Sequence, residues 1–323
     1  MKNFGKIFAL LVLLTSSAKL HAGDPIIGCP LGVEKGKFLL YTKTTLMNAT
    51  EALWNEDSTQ TEATMVKMPD GWHAKVSIMT IRMELGATER LTVGLVTNYI
   101  DKDIKHQIWK RTPNDGIVRK WKAVKGHGFS DLWIMGLYKI IHEHPFFEAL
   151  SIGAAARLDI ADDLLVVKGI GSGAKAFRIA LLSHLHLTKN LSGVTNLFYQ
   201  REAKVRDITV KNENCELVEW QKSGWKLGDS YGFKLGVEKG FSSHVVGVAF
   251  LVGSWKKPDT DRNADLVVNT GKKDISLVTM VHYLPRGLEH EHSKFGLGIK
   301  TTLSSKKSFS ARFTPLVMAM WTF

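Results

Sequence analysis

Phe309-Ser310-Ala311-Arg312-Phe313-Thr314-Pro315-Leu316-Val317-Met318-Ala319-Met320-Trp321-Thr322-Phe323 are the last residues of the sequence. In an extended chain Phe309, Ala311, Phe313, Pro315, Val317, Ala319, Trp321 and Phe323 share one face, and the residues between them share the other. A period of two is the signature of a strand. One face is apolar throughout and ends in two aromatics; the other is mixed. The same split recurs upstream. Tyr231, Phe233, Leu235 and Val237 oppose Gly232, Lys234, Gly236 and Glu238. Phe295, Leu297 and Ile299 oppose Gly296, Gly298 and Lys300. Phe177, Ile179, Leu181 and Leu185 oppose Arg178, Ala180, His184 and His186.

Alternation alone fits a soluble sandwich with its apolar face inward. It also fits a membrane barrel with that face toward lipid. Three features favour the barrel: an export signal, strands in series without a helical interlude, and links that alternate short and long. The strands are expected near 37–49, 73–85, 90–104, 129–141, 148–160, 175–187, 191–203, 228–238, 243–254, 273–284, 294–304 and 308–323. That is an all-β, closed antiparallel transmembrane β-barrel of about twelve strands, with ten or fourteen open because the link at Pro285–Ser293 is long for a turn. An even count puts both ends on the periplasmic side.

The export signal is at the start. Lys2 and Lys6 precede an apolar run from Ile7 to Leu14, and small residues lead to Ala22. This is the grammar of a secretory signal peptide. Residues 1–22 are read as that signal, 23–36 as a periplasmic segment or lumen plug, and 37–323 as the barrel. Ile26-Ile27-Gly28-Cys29 also has a faint lipoprotein-box look, but Asp24 and Pro25 interrupt it.

Composition narrows the classes. The 323 residues carry 43 Lys and Arg against 31 Asp and Glu, a formal charge of +12. Mean hydropathy is −0.05, too low for a chain of spanning helices that each need about 20 apolar residues. Two cysteines make neither a disulfide scaffold nor a Cys-based zinc site. If Cys29 lies at the periplasmic end and Cys215 in an outer link, a bridge between them requires residues 23–36 to thread the lumen. No nucleotide-binding or haem-attachment motif occurs, and no cofactor is expected. Export, and charges scattered along strands, argue against nucleic acid. The densest basic run, Arg119-Lys120-Trp121-Lys122 with Lys125, falls in an outer link and suits anionic lipopolysaccharide or plain solvent.

Gly128-Phe129-Ser130-Asp131-Leu132-Trp133-Ile134-Met135-Gly136-Leu137-Tyr138-Lys139 and Leu85-Gly86-Ala87-Thr88-Glu89-Arg90-Leu91-Thr92-Val93-Gly94-Leu95 resemble the outer-membrane transporter family named for the meta-pathway of phenol degradation. Trp321-Thr322-Phe323 is similar to the terminal aromatic signal read by the barrel-assembly machinery. The resemblance implies a bacterial outer-membrane barrel that passes hydrophobic or aromatic small molecules, with no catalytic residues to carry over. It departs at Tyr99, which Ile100 follows where the family often has proline.

By the alternation, Arg82, Arg90, Lys139, Arg157, Arg178, Lys234, Lys300 and Arg312 face inward with Glu84, Asp131, Asp159 and Glu238. A basic lumen would concentrate anions or polarise passing solutes. The competing reading is that these charges pair across strands and fill the barrel, since about eight strands leave no channel and about sixteen leave a wide one. His184 and His186 share a face, but a pair falls short of the three or four ligands of a metal site; the same holds for His142 with His144 and for His290 with His292. No metal is expected. A lipid-modifying hydrolase needs a Ser beside a His, oriented by a third group. Ser183-His184 point to opposite faces, and Ser242-Ser243-His244 lie at a turn. The expected role is passive passage of a small solute and not catalysis, with the hydrolase, or a structural or adhesion barrel, as alternatives.

Overall fold

The computed structural model describes residues 29–54, 64–68, 70–112, 116–142, 144–188, 190–211, 217–267, 270–285, 293–306 and 309–323. Twelve strands form a ring: β1 Phe38–Asn48, β2 His73–Gly86, β3 Leu91–Thr112, β4 Leu132–His142, β5 Phe147–Leu158, β6 Ala174–Thr188, β7 Leu191–Val205, β8 Ser230–Gly240, β9 Val245–Lys256, β10 Lys272–Tyr283, β11 Ser293–Lys306 and β12 Phe313–Thr322. Each pairs antiparallel with the next, and β1 pairs with both β2 and β12, so the sheet closes. At the seam Phe38 and Phe323 exchange backbone hydrogen bonds of 3.1 and 2.8 Å. Closure leaves the ring itself without a free edge, the condition a sheet must meet in lipid. The expected all-β barrel of twelve strands is what forms; the strands fall near their predicted places, except that the third runs on to Thr112 and the last begins only at Phe313.

The outward faces show the solvent they meet. Leu95, Ile134, Ile152, Leu181, Leu197, Leu235, Leu297 and Val317 are all exposed. Aromatics ring this belt at both ends. Phe129, Phe177, Tyr199, Tyr231 and Phe313 mark the outer rim, and Phe38, Tyr138, Phe241, Tyr283 and Phe295 the inner one. From Tyr231 to Phe241 is ten residues, which at about 3.3 Å each and about 40° of tilt gives roughly 25 Å, the height of an outer-membrane apolar band.

The long links carry structure of their own. β3 runs 22 residues, and the segment Gly116–Phe129 folds back along it from Thr112↔Gly116 to Tyr99↔Phe129. What reads as a loop in sequence is a hairpin standing above the barrel wall. β4 then takes over as partner of β3 at Trp133↔Val96, so Ser130 and Asp131 form a break in one long strand. A single-turn helix, α1 Asp163–Val167, interrupts the β5–β6 link; the Asp162 side chain caps it by accepting from Leu165 N at 2.8 Å. The Gly169–Gly173 run after α1 is closely packed: a Cβ on Gly171 would stand 2.3 Å from the Ala161 methyl. Ala161, Val166, Ala174, Val205 and Ile208 form a small core beneath this loop, with Trp220 and Leu227 against it.

The main core lies inside the ring. One cluster joins Val96, Trp133, Met135, Leu137, Ala155, Ala176, Ala180 and Leu182; another joins Val194, Val246, Val248, Phe250 and Leu284. Twelve strands therefore enclose a partly apolar interior.

Candidate functional site

The polar side chains inside the ring fall into an outer and an inner group. In the outer group, Asp131 at the strand break accepts from Ser172 N at 2.8 Å and from Ser172 Oγ at 2.5 Å. Its carboxylate is 3.8 Å from Arg157 Nε. Arg157 also donates to Glu202 Oε2 at 2.5 Å and to the Ala174 carbonyl at 2.9 Å. Gln200 donates to Glu202 Oε1 at 2.5 Å and accepts from Arg178 at 3.4 Å. The Arg178 guanidinium lies 3.7 Å from the Phe198 ring centre, the Lys234 ammonium 3.9 Å from Phe250, and the Arg157 guanidinium 5.4 Å from Trp133. Lys300 meets Asp274 at 2.6 Å. Arg206 bonds Asp159 at 2.8 Å and also reaches Asp163, tying the β7–β8 link to the α1 loop.

In the inner group, Arg82 contacts Glu84 at 2.6 Å and stacks on Tyr41 at 4.5 Å. His184 Nδ1 is 2.7 Å from Glu148 Oε2, and its Nε2 is 3.8 Å from Glu238. Lys139, Lys294 and His282 are buried at the same level. The chain ahead of β1 sits among them. Ser151 Oγ donates to the Pro30 carbonyl at 2.5 Å, Val33 N donates to Thr92 Oγ1 at 2.8 Å, and Gly36 N donates to the Gly86 carbonyl at 2.8 Å. Cys29 is buried there as a free thiol; burial pushes its pKa up and keeps it uncharged.

The ring thus encloses Arg82, Glu84, Asp131, Lys139, Arg157, Arg178, His184, Lys234, Glu238 and Lys300, and Asp159 lies under the outer loops. Three predicted positions depart from the alternation. Arg90 is exposed because the turn lasts through it and β3 starts at Leu91. Arg312 is exposed because the strand breaks at Ala311–Arg312: Phe309–Ser310 pairs with Glu51–Ala52 instead of with the barrel, and the alternation is interrupted until Phe313. His186 is exposed at the inner end of β6, where register shifts on both neighbours let the strand leave the enclosure. His184 and His186 are therefore not brought together. Cys215, His290 and His292 lie outside the described residues, as do residues 1–28.

Several enclosed groups were not singled out from sequence. Lys294 has the parity of Gly296, Gly298 and Lys300 but stands at a strand start, where boundaries are least certain. Glu202 and Gln200 share the parity of Asn196 on β7. Glu148 is shifted by a bulge between Phe147 and Ala149, which no period of two reveals.

Closed ring, apolar belt and paired aromatic girdles define an outer-membrane β-barrel. No protein-family model and no curated protein matches the chain. An outer membrane channel of Pseudomonas putida F1 shares the fold, with a TM-score of 0.63 at 10% identity over 94% of this chain and 100% of that one. The CymD monoaromatic hydrocarbon channel aligns with a TM-score of 0.45 at 8% identity over 90% of this chain and 89% of that one. The toluene transporter TbuX of Ralstonia pickettii aligns with a TM-score of 0.45 at 10% identity over 90% and 89%.

Proposed function

We propose that the protein is a passive outer-membrane channel for a small hydrophobic or aromatic solute. The observation that carries this reading is the interior itself: apolar clusters run beside cations stacked on aromatic rings, so a solute with an apolar body meets apolar and π surfaces as well as charge. The inward residues named above would line its path. Pairing of most of their charges favours structural ladders over a wide aqueous pore. Residues 1–22 would be the removed signal peptide. Residues 23–36 would be a plug, because the part of this segment from Cys29 onward bonds to Ser151 and Thr92 within the ring. Trp321 and Phe323 would serve the assembly machinery, and the basic face of the outer hairpin would touch lipopolysaccharide.

The hydrolase reading is weaker. Ser243 Oγ is 2.8 Å from His244 Nδ1, but both are exposed at a turn on the inner side, and among the described residues no carboxylate orients that histidine. The test is single-channel conductance and liposome swelling, comparing the full mature chain with one lacking residues 23–36. Larger conductance in the shortened chain supports a plugged channel. Its absence in both chains, together with lipid hydrolysis by purified protein, would reverse the assignment.

A further inference from the structure

Lys294 carries its charge into the closed interior without a partner. It stands on the inward face of β11 and is 1% exposed. Among the described residues its Nζ makes no hydrogen bond and no ion pair. His282 lies beside it. His282 faces inward on β10 in register with Gly296, and Gly296 is two residues along β11 from Lys294 on the same face. A Cβ on Gly296 would lie 2.7 Å from His282 Cδ2 and 3.1 Å from the Met318 methyl carbon, so imidazole and thioether share the space that glycine leaves. That sets the His282 ring one strand repeat, roughly 7 Å, from the Lys294 backbone. Neither ring nitrogen of His282 is hydrogen-bonded among the described residues.

The walls beside the ammonium are apolar. Lys294 is in register with Met320, and Met318 and Met320 pack with Leu39 of β1 and with Val33 of the segment ahead of it. Cys29–Val33 covers this corner, anchored on Ser151 and Thr92, and carries no acidic or basic side chain. The acids of the same level are engaged elsewhere. Glu84 contacts Arg82 at 2.6 Å, Glu148 meets His184 at 2.7 Å, and Glu238 lies 3.8 Å from the same imidazole. An ammonium enclosed in such surroundings without an anion costs stability. A local rule broken at that cost is expected where the position serves function.

We infer that Lys294 and His282 form an anion-binding point at the inner end of the passage, taken by the carboxylate of a small organic acid whose apolar body lies against Met318 and Met320. This rests on the channel reading and narrows its solute to apolar acids. The ammonium supplies charge and the imidazole a second hydrogen bond, while the two thioethers adapt to bodies of different shape. Val33 covers the point in the free protein, so an entering acid takes the place of part of that segment.

The test follows urea unfolding of the full mature chain in detergent, with benzoate, neutral benzamide and inorganic phosphate as probes, since a ligand of the folded state raises the midpoint. Benzoate is expected to act saturably and to bind at least about tenfold more tightly than the other two, the worth of one charge-assisted contact. Lys294→Met keeps the length of the side chain and removes its charge. It is expected to unfold at higher urea than wild type without ligand, and to lose the benzoate response. The chain lacking residues 23–36 is expected to bind benzoate more tightly. Heat-dependent gel migration verifies that each variant is folded. Benzamide or phosphate binding as tightly as benzoate, an unchanged benzoate response in Lys294→Met, a Lys294→Met chain less stable than wild type, or loss of binding with residues 23–36 overturns the inference. A stability loss in Asp24→Asn without any benzoate response also overturns it and gives Lys294 a partner from its own chain. Conductance of the wild-type protein separates the two readings: conductance without a benzoate response removes the anion point and leaves the channel, whereas a saturable response without conductance keeps the point and removes the channel.

Discussion

Removing the Arg157 guanidinium would leave Glu202 buried with one hydrogen-bond partner fewer and Asp131 without its nearest cation. An uncompensated buried charge costs about 3–5 kcal/mol, whereas replacing both partners by apolar groups of similar size is often neutral. Arg157→Ala is therefore expected to destabilise the barrel by about that amount, and R157M/E202L by less, because Asp131 alone then lacks its cation, measured by urea unfolding in lipid. Additive losses would show that the pair acts independently. Asp229, just before β8, has another role. It accepts from Glu202 N at 3.0 Å and from the Tyr199 hydroxyl at 2.9 Å. Burial pushes its carboxyl up, but these bonds, with Lys226 and Lys257, hold it below the usual aspartate range. A depressed folded-state value means the stabilisation is whole above the ordinary pKa of about 3.9 and fades as pH falls through the lower value. Wild-type stability should fall more steeply than that of Asp229→Asn below about pH 4. Parallel pH profiles would dismiss this role.

At the scale of elements, the α1 loop depends on a close approach. A β-carbon on Gly171 would collide with the Ala161 methyl, and Val166 lies 3.2 Å away, so Gly171→Val should loosen the loop that holds Ser172 on Asp131. Limited proteolysis of the α1 loop should then speed up while the barrel resists; an unchanged digestion pattern would count against this packing. The closing strand β12 is the other sensitive element. Phe38 and Phe323 exchange backbone hydrogen bonds there, and their rings lie 6.3 Å apart. Deleting Phe323 removes those bonds and the terminal aromatic, so insertion should fall while export across the inner membrane continues. Normal yield of inserted protein would mean that closure relies on the rest of the β1–β12 register.

For the whole molecule, the exposed belt admits one environment. Surface of that extent and apolarity is stable only against lipid or detergent. The mature protein should require detergent, show β-type circular dichroism, and migrate differently on gels before and after heating. A soluble monomer would contradict the fold, because the core inside the ring cannot also shelter the belt outside it. The outer loops should lose order independently of the barrel, since their small core rests on few residues and local openings are set by local burial.

Fold class, strand number and the outward face were legible in the sequence because each rests on a local rule: a period of two, turn residues at intervals, and an apolar face that lipid demands. Tyr231 to Val237 and Phe313 to Val317 show it without knowledge of any partner. The interior was legible only in part. Parity says that Arg157 and Glu202 turn inward, but not that they meet, because 45 residues separate them and only the register of β5, β6 and β7 brings them together. Where the alternation is interrupted, at Ala311–Arg312 and at the bulge beside Glu148, counting along the chain misplaces or overlooks a side chain. Local alternation decided which way each strand faces; ring closure and loop packing decided which charges share a space, since electrostatics acts through distance in space and not along the chain.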